Sequence, residues 1–127
     1  MKIVIAGSAK NPEAIQKWVV YWKSEYDIVD YVKPIDPHNL TEEYKEVFIS
    51  FYNAIAQTDV LFVANEKSND IEGYIGSAVF AEIAFAIAQK QVHGQEIKIL
   101  LAHEPSPSVN GYGELMLWKM LGWITIM

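Results

Sequence analysis

From Ala78 to Ala88 every side chain is apolar except Glu82. A carboxylate set into an apolar helix needs an opening to solvent or a specific partner, because an ionised group is costly to desolvate. The approach to it is also informative. Val60 to Asn65 is a short apolar run, Glu66 to Glu72 is polar, and Gly73-Tyr-Ile-Gly-Ser77 leads into the helix. Ser77 is expected to cap that helix, and Gly76 to permit a tight turn into it. The free N–H groups and dipole of such a helix start favour negative charge, either an ionised Glu82 or a bound anion. Strand-end loop, helix start and isolated carboxylate together form the pattern of an active-site edge. The bland alternative is an exposed stripe on which Glu82 merely favours the helix start. Neutralising it would then cost about 0.3–1 kcal/mol and leave any activity intact.

Other candidates have simpler explanations. Trp18 and Trp22 look like a base-stacking pair, yet with Ile15 and Val19 they fall at helical spacing, which core packing already accounts for. His38 lies in a loop with Pro34 and Pro37, where a lone histidine is usually a surface residue. His38, His93 and His103 lack ligand spacing, so no metal is expected. The basic residues are ten lysines and no arginine against a net charge of −6, a poor match for a nucleic-acid backbone. A single phosphate would have to rely on backbone N–H groups, hydroxyls or a lysine such as Lys10.

The elements that must position Glu82 alternate. Lys2–Ala6 is a β-branched strand followed by the Gly7-Ser8 turn, and a helix is expected from about Pro12 to Ser24. Tyr26 to Val32 reads as a second strand, closed by a proline-stiffened loop in which no helix is expected. Thr41-Glu-Glu-Tyr44 reads as the capped start of a helix ending near Gln57, with Tyr44, Val47, Phe48, Phe51, Tyr52 and Ile55 as its apolar stripe. After the central strand, loop and helix come a strand over Glu96–Ala102 and an irregular loop, His103–Gly111. A helix from near Tyr112 to Gly122 and a last strand over Trp123–Met127 complete the pattern. Such alternation predicts an α/β three-layer sandwich in one domain, residues 1–127, with a five-stranded parallel sheet in the flavodoxin-like, Rossmann-like order 2-1-3-4-5. In that order strands one and three adjoin at the switch point, so Gly7, Ser8, Asn65, Gly76, Ser77 and Glu82 converge on one cleft.

Asp59-Val-Leu-Phe-Val-Ala-Asn65, Gly73-Tyr-Ile-Gly-Ser77, Phe80-Ala-Glu82-Ile-Ala-Phe-Ala86 and Lys90, with the Gly7-Ser8 turn, resemble the core signature of the nucleoside 2-deoxyribosyltransferase-like superfamily. That superfamily includes deoxynucleoside 5'-monophosphate N-glycosidases. The resemblance implies cleavage or transfer of the N-glycosidic bond of a 2'-deoxynucleoside or its 5'-monophosphate, with Glu82 as nucleophile at C1' and no cofactor. It assigns Glu82 and Asn65 to catalysis and Gly7, Ser8, Lys10, Tyr74, Gly76 and Ser77 to substrate binding. Two positions depart from the pattern. Asn65 stands where aspartate is common, and Glu72-Gly73 replaces an Asp-Gly lead-in. Asparagine cannot protonate a leaving base, which leaves Asp70 or Glu72 as substitutes or as plain loop charges. The alternative function is a non-catalytic nucleoside or nucleotide-binding module using the same cleft.

Composition bounds the partners. There are no cysteines and no segment near ~20 apolar residues, so a membrane span is not expected, and the chain reads as soluble and cytoplasmic. Four Trp and seven Tyr in 127 residues leave amphipathic surface suited to self-association, so a homodimer or larger assembly is expected.

Overall fold

The computed structural model describes residues 1–127. Five strands, β1 (Lys2–Gly7), β2 (Asp27–Tyr31), β3 (Val60–Ala64), β4 (Lys98–Leu101) and β5 (Thr125–Ile126), form one parallel sheet in the order 2-1-3-4-5. Four helices, α1 (Pro12–Trp22), α2 (Leu40–Ile55), α3 (Ser77–Gln91) and α4 (Tyr112–Met120), make the crossovers. The α/β architecture and strand order expected from the alternation are those observed.

Period-two alternation divides the strand side chains between two cores. Val4, Ala6, Leu61, Val63, Ile99 and Leu101 face α2, α3 and α4 through Phe51, Ile55, Ile83, Ile87 and Leu115. Ile3, Ile5, Val60, Phe62 and Leu100 face α1 through Ile15 and Trp22. One helix therefore covers one face and three cover the other. Right-handed crossovers dictate this: the chain moves one way from β1 to β2, then reverses and moves the other way through β3, β4 and β5. The reversal places the carboxyl ends of β1 and β3 side by side, with Gly7 in register with Ala64. Trp18 and Trp22 pack on Phe62 at ring distances of 4.6 and 5.2 Å, so the tryptophan pair belongs to the core.

Several local expectations are corrected. Ser77 is the first residue of α3 rather than its cap; Gly76 is the N-cap, and no side chain bonds there. Gly76 has φ −79 and ψ 174, an extended conformation open to any residue, so no tight turn explains it. The loop after β2 contains a 3-10 turn, Pro37–Asn39, because Pro37 at its first position surrenders no needed donor and Asp36 accepts from the His38 N–H at 3.0 Å. α2 begins at Leu40 without a side-chain cap, α1 stops at Trp22, and β4 and β5 are shorter than the apolar runs that contain them. The apolar stripe of α2 is covered only in part. Only Phe51 and Ile55 are buried, whereas Tyr44, Val47 and Phe48 are exposed by 52%, 44% and 42%. No helix is long and apolar enough to cross a membrane.

Candidate active site

A cleft of about 770 Å³ opens over the carboxyl ends of β1 and β3. Its floor is Gly7 and Val63, one wall is the exposed face of α2, and the opposite wall is the start of α3 from Gly76 to Glu82. All eight residues singled out in the sequence, Gly7, Ser8, Lys10, Asn65, Tyr74, Gly76, Ser77 and Glu82, line it. This is the switch point at which ligands collect in open parallel sheets. Asp70 and Glu72 do not reach it. They lie on the surface with Lys67, at 3.7 and 3.4 Å, and His38 is absent from the lining as well.

Glu82 lies in the second turn of α3, beyond the free N–H groups of the helix start, and forms none of the chain's ion pairs. Burial pushes its carboxyl from the ordinary 4.5 up to about 7, with no neighbouring cation to offset the desolvation. At neutral pH such a group exists in both forms. The ionised form is more nucleophilic and more basic than a solvated carboxylate, and the cleft gives a partner access to it.

Asn65 is present in the cleft, but its side chain is already committed. Its Nδ2 donates to the main-chain carbonyls of His103 at 2.8 Å and Gly73 at 3.3 Å, and its Oδ1 accepts from the His103 N–H at 3.0 Å. These three bonds tie the end of β3 to the loop before α3 and to the loop after β4. Gly73 completes the clamp: its φ is +61, and a Cβ there would collide with the main chain of Glu104 and Pro105. Asn65 is thus a positioning residue for the loop that delivers α3, with no donor left for a substrate. The geometry also explains why aspartate is unsuited here, since a carboxylate would face two carbonyl oxygens without a proton to share. Asn65→Asp is expected to lower stability by about 2–4 kcal/mol at pH 7, read by urea unfolding. Unchanged stability would show that the amide bonds carry no weight.

Ser8 and Lys10 come from the turn after β1, where the Ser8 hydroxyl accepts from the Lys10 N–H at 3.2 Å. The Lys10 side chain extends into solvent at the cleft margin. The sequence reading did not assign α2 to the cleft. Tyr44, Val47, Phe48 and Tyr52 form an apolar stripe at helical spacing, and their two hydroxyls with the neighbouring Glu43 and Glu46 mark it as an amphipathic wall. Elsewhere, no group of three or more metal-ligating side chains converges.

The fold and site define a doubly wound parallel α/β protein with a switch-point cleft and one isolated carboxylate. Comparison with protein-family models, with curated proteins and with solved structures finds no match to this chain.

Proposed function

We propose that the cleft binds a 2'-deoxynucleoside and that Glu82 cleaves its N-glycosidic bond, transferring the deoxyribosyl group to another base or to water. The observation that carries this reading is Glu82 itself: a carboxyl without a protein partner, raised to about 7, lining a cleft of about 770 Å³ at the junction of β1 and β3. The resemblance of the first strand with its Gly7-Ser8 turn and of Thr58–Gln91 to the deoxyribosyltransferase-like signature supplies the reaction class. The ionised carboxylate attacks C1' from the alpha face, the base departs with the bonding electrons, and base or water then opens the glycosyl ester. Absence of a 2'-hydroxyl lowers the cost of the oxocarbenium-like transition state. Gly7, Ser8, Gly76 and Ser77 offer main-chain and hydroxyl groups for the sugar, and the aromatic face of α2 suits a planar base.

Nucleosides are favoured over 5'-monophosphates, because the chain has no arginine to grip a phosphate bidentately. Incubation with deoxyinosine and free adenine tests the reading. Deoxyadenosine plus hypoxanthine indicates a transferase, and hypoxanthine without exchange indicates a hydrolase. Ligand-induced stabilisation without any product would instead make the cleft a nucleoside-binding module.

Self-association belongs to the same reading. Leu40 and Ile49, exposed by 52% and 51% and outside the cleft lining, leave apolar surface on α2 that a second copy would cover. Light scattering at micromolar concentration is expected to give at least a dimer mass. Ile49→Glu, which lies outside the cleft lining, is expected to return it to the monomer. A strictly monomeric parent protein would remove this claim.

A further inference from the structure

A carboxylate nucleophile requires a second group, because a nucleobase leaves poorly as an anion and needs a proton on its ring as the C1'–N bond breaks. Besides Tyr52, the cleft lining holds the phenols of Tyr31, Tyr44 and Tyr74, but Tyr31 lies under Lys33 Nζ at 4.1 Å, Tyr44 is 52% exposed to solvent, and Tyr74 packs against Gly76. The Asn65 amide is fully engaged, and the Asp30 carboxylate accepts from Lys33 Nζ at 3.0 Å and from the Tyr31 N–H at 2.8 Å. Glu43 accepts from the Asp36 N–H at 2.9 Å, and Glu46 is exposed to solvent.

Tyr52 is placed differently. It stands on the α2 wall opposite Glu82, and its ring is held by Phe48, stacked at 4.2 Å and 20°, and by Phe85, edge-on at 5.0 Å and 61°. Phe85 follows Glu82 by one turn of α3, so the contact fixes the phenol beside the carboxyl's end of the cleft. The hydroxyl is open to the cleft rather than buried without a partner.

We infer that Tyr52 is the proton donor to the departing base, a catalytic role that rests on the glycosyl-cleavage reading of Glu82. In the first half-reaction a Glu82 oxygen bonds to C1', the C1'–N bond breaks with its electron pair moving onto the base, and the Tyr52 proton passes to a ring atom of that base. In the second half the Tyr52 phenolate removes a proton from the incoming base or water as it bonds to C1', and Glu82 departs as carboxylate. Both residues return to their starting states. Burial and the Glu82 charge, in that order, push the Tyr52 phenol upward, which keeps its proton in place in the free protein. Esterification neutralises Glu82 and removes that opposition at the step in which the proton must leave. A neutral phenol also avoids the repulsion that a second carboxylate would bring to this end of the cleft.

The test compares two substrates in single-turnover release of base. Deoxyinosine requires a proton on its base, whereas 7-methyl-2'-deoxyguanosine already carries a cationic base and does not. Tyr52→Phe retains the ring and its stacking, and circular dichroism checks the fold. The variant is expected to release hypoxanthine about 10²-fold or more slowly than the parent protein. Its loss on 7-methylguanine release is expected to be at least about ten times smaller. Equal losses on both substrates would make Tyr52 a structural residue, and no loss on either would remove it from the reaction, with the Glu82 reading intact in both cases. Failure of the parent protein to release base from either substrate would remove the glycosyl-cleavage reading and this inference with it.

Discussion

Glu82→Gln is expected to reduce base release by at least about 10³-fold while the protein stays folded. Glutamine preserves the shape and much of the hydrogen-bonding edge of the side chain, but it cannot bond to C1' as an anion or compensate the positive charge that develops on the sugar. Both half-reactions pass through the same carboxylate, so neither transfer nor hydrolysis escapes the substitution. The parent protein's pH profile is an independent check. With the carboxyl raised to about 7 by burial, kcat/KM is expected to rise as pH increases through that value, because only the ionised form attacks. Full activity of the variant, or a profile flat between pH 5 and 8, would detach Glu82 from the chemistry.

Legibility in the sequence followed how local the controlling physics is. β3 and α3 could be read because each is a continuous apolar run, and an odd carboxylate is visible against such a background. The strand order followed from alternation and crossover handedness, and it carried Gly7 and Asn65 to one place although they are 58 positions apart in sequence. What escaped depends on which neighbours are absent. The α2 stripe has faultless helical spacing, yet the sheet reaches only its last turns, so Phe51 and Ile55 are buried while Tyr44 and Phe48 face the cleft and solvent. Periodicity reports that a face is apolar; it does not report what covers that face. Asn65 escaped for a related reason. Its role is set by the carbonyls of Gly73 and His103, and the second is 38 positions away in sequence.

Glu82 also makes a prediction about stability that is opposite in sign to that of a simple helix-start charge. A favourable dipole contact would make Glu82→Gln destabilising, but Glu82 lies past the first turn of α3 and its desolvation dominates. Its folded-state carboxyl titrates at about 7 and its unfolded-state carboxyl at about 4.5. Between those values the folded chain binds more protons than the unfolded chain, so stability from this group is fully present below about 4.5 and is lost as pH rises through about 7. The full shift corresponds to a few kcal/mol, and partial solvent access through the cleft reduces this to about 1–3 kcal/mol. Glu82→Gln is therefore expected to match the parent protein at pH 4.5 and to exceed it at pH 8 by about 1–3 kcal/mol, measured by urea unfolding at each pH. The carboxylate would then be one that the fold tolerates at a cost because the cleft requires it, in the way that strained or desolvated groups concentrate at functional sites. A variant no more stable than the parent at pH 8, or with the same pH dependence, would return Glu82 to the status of an ordinary exposed charge on α3.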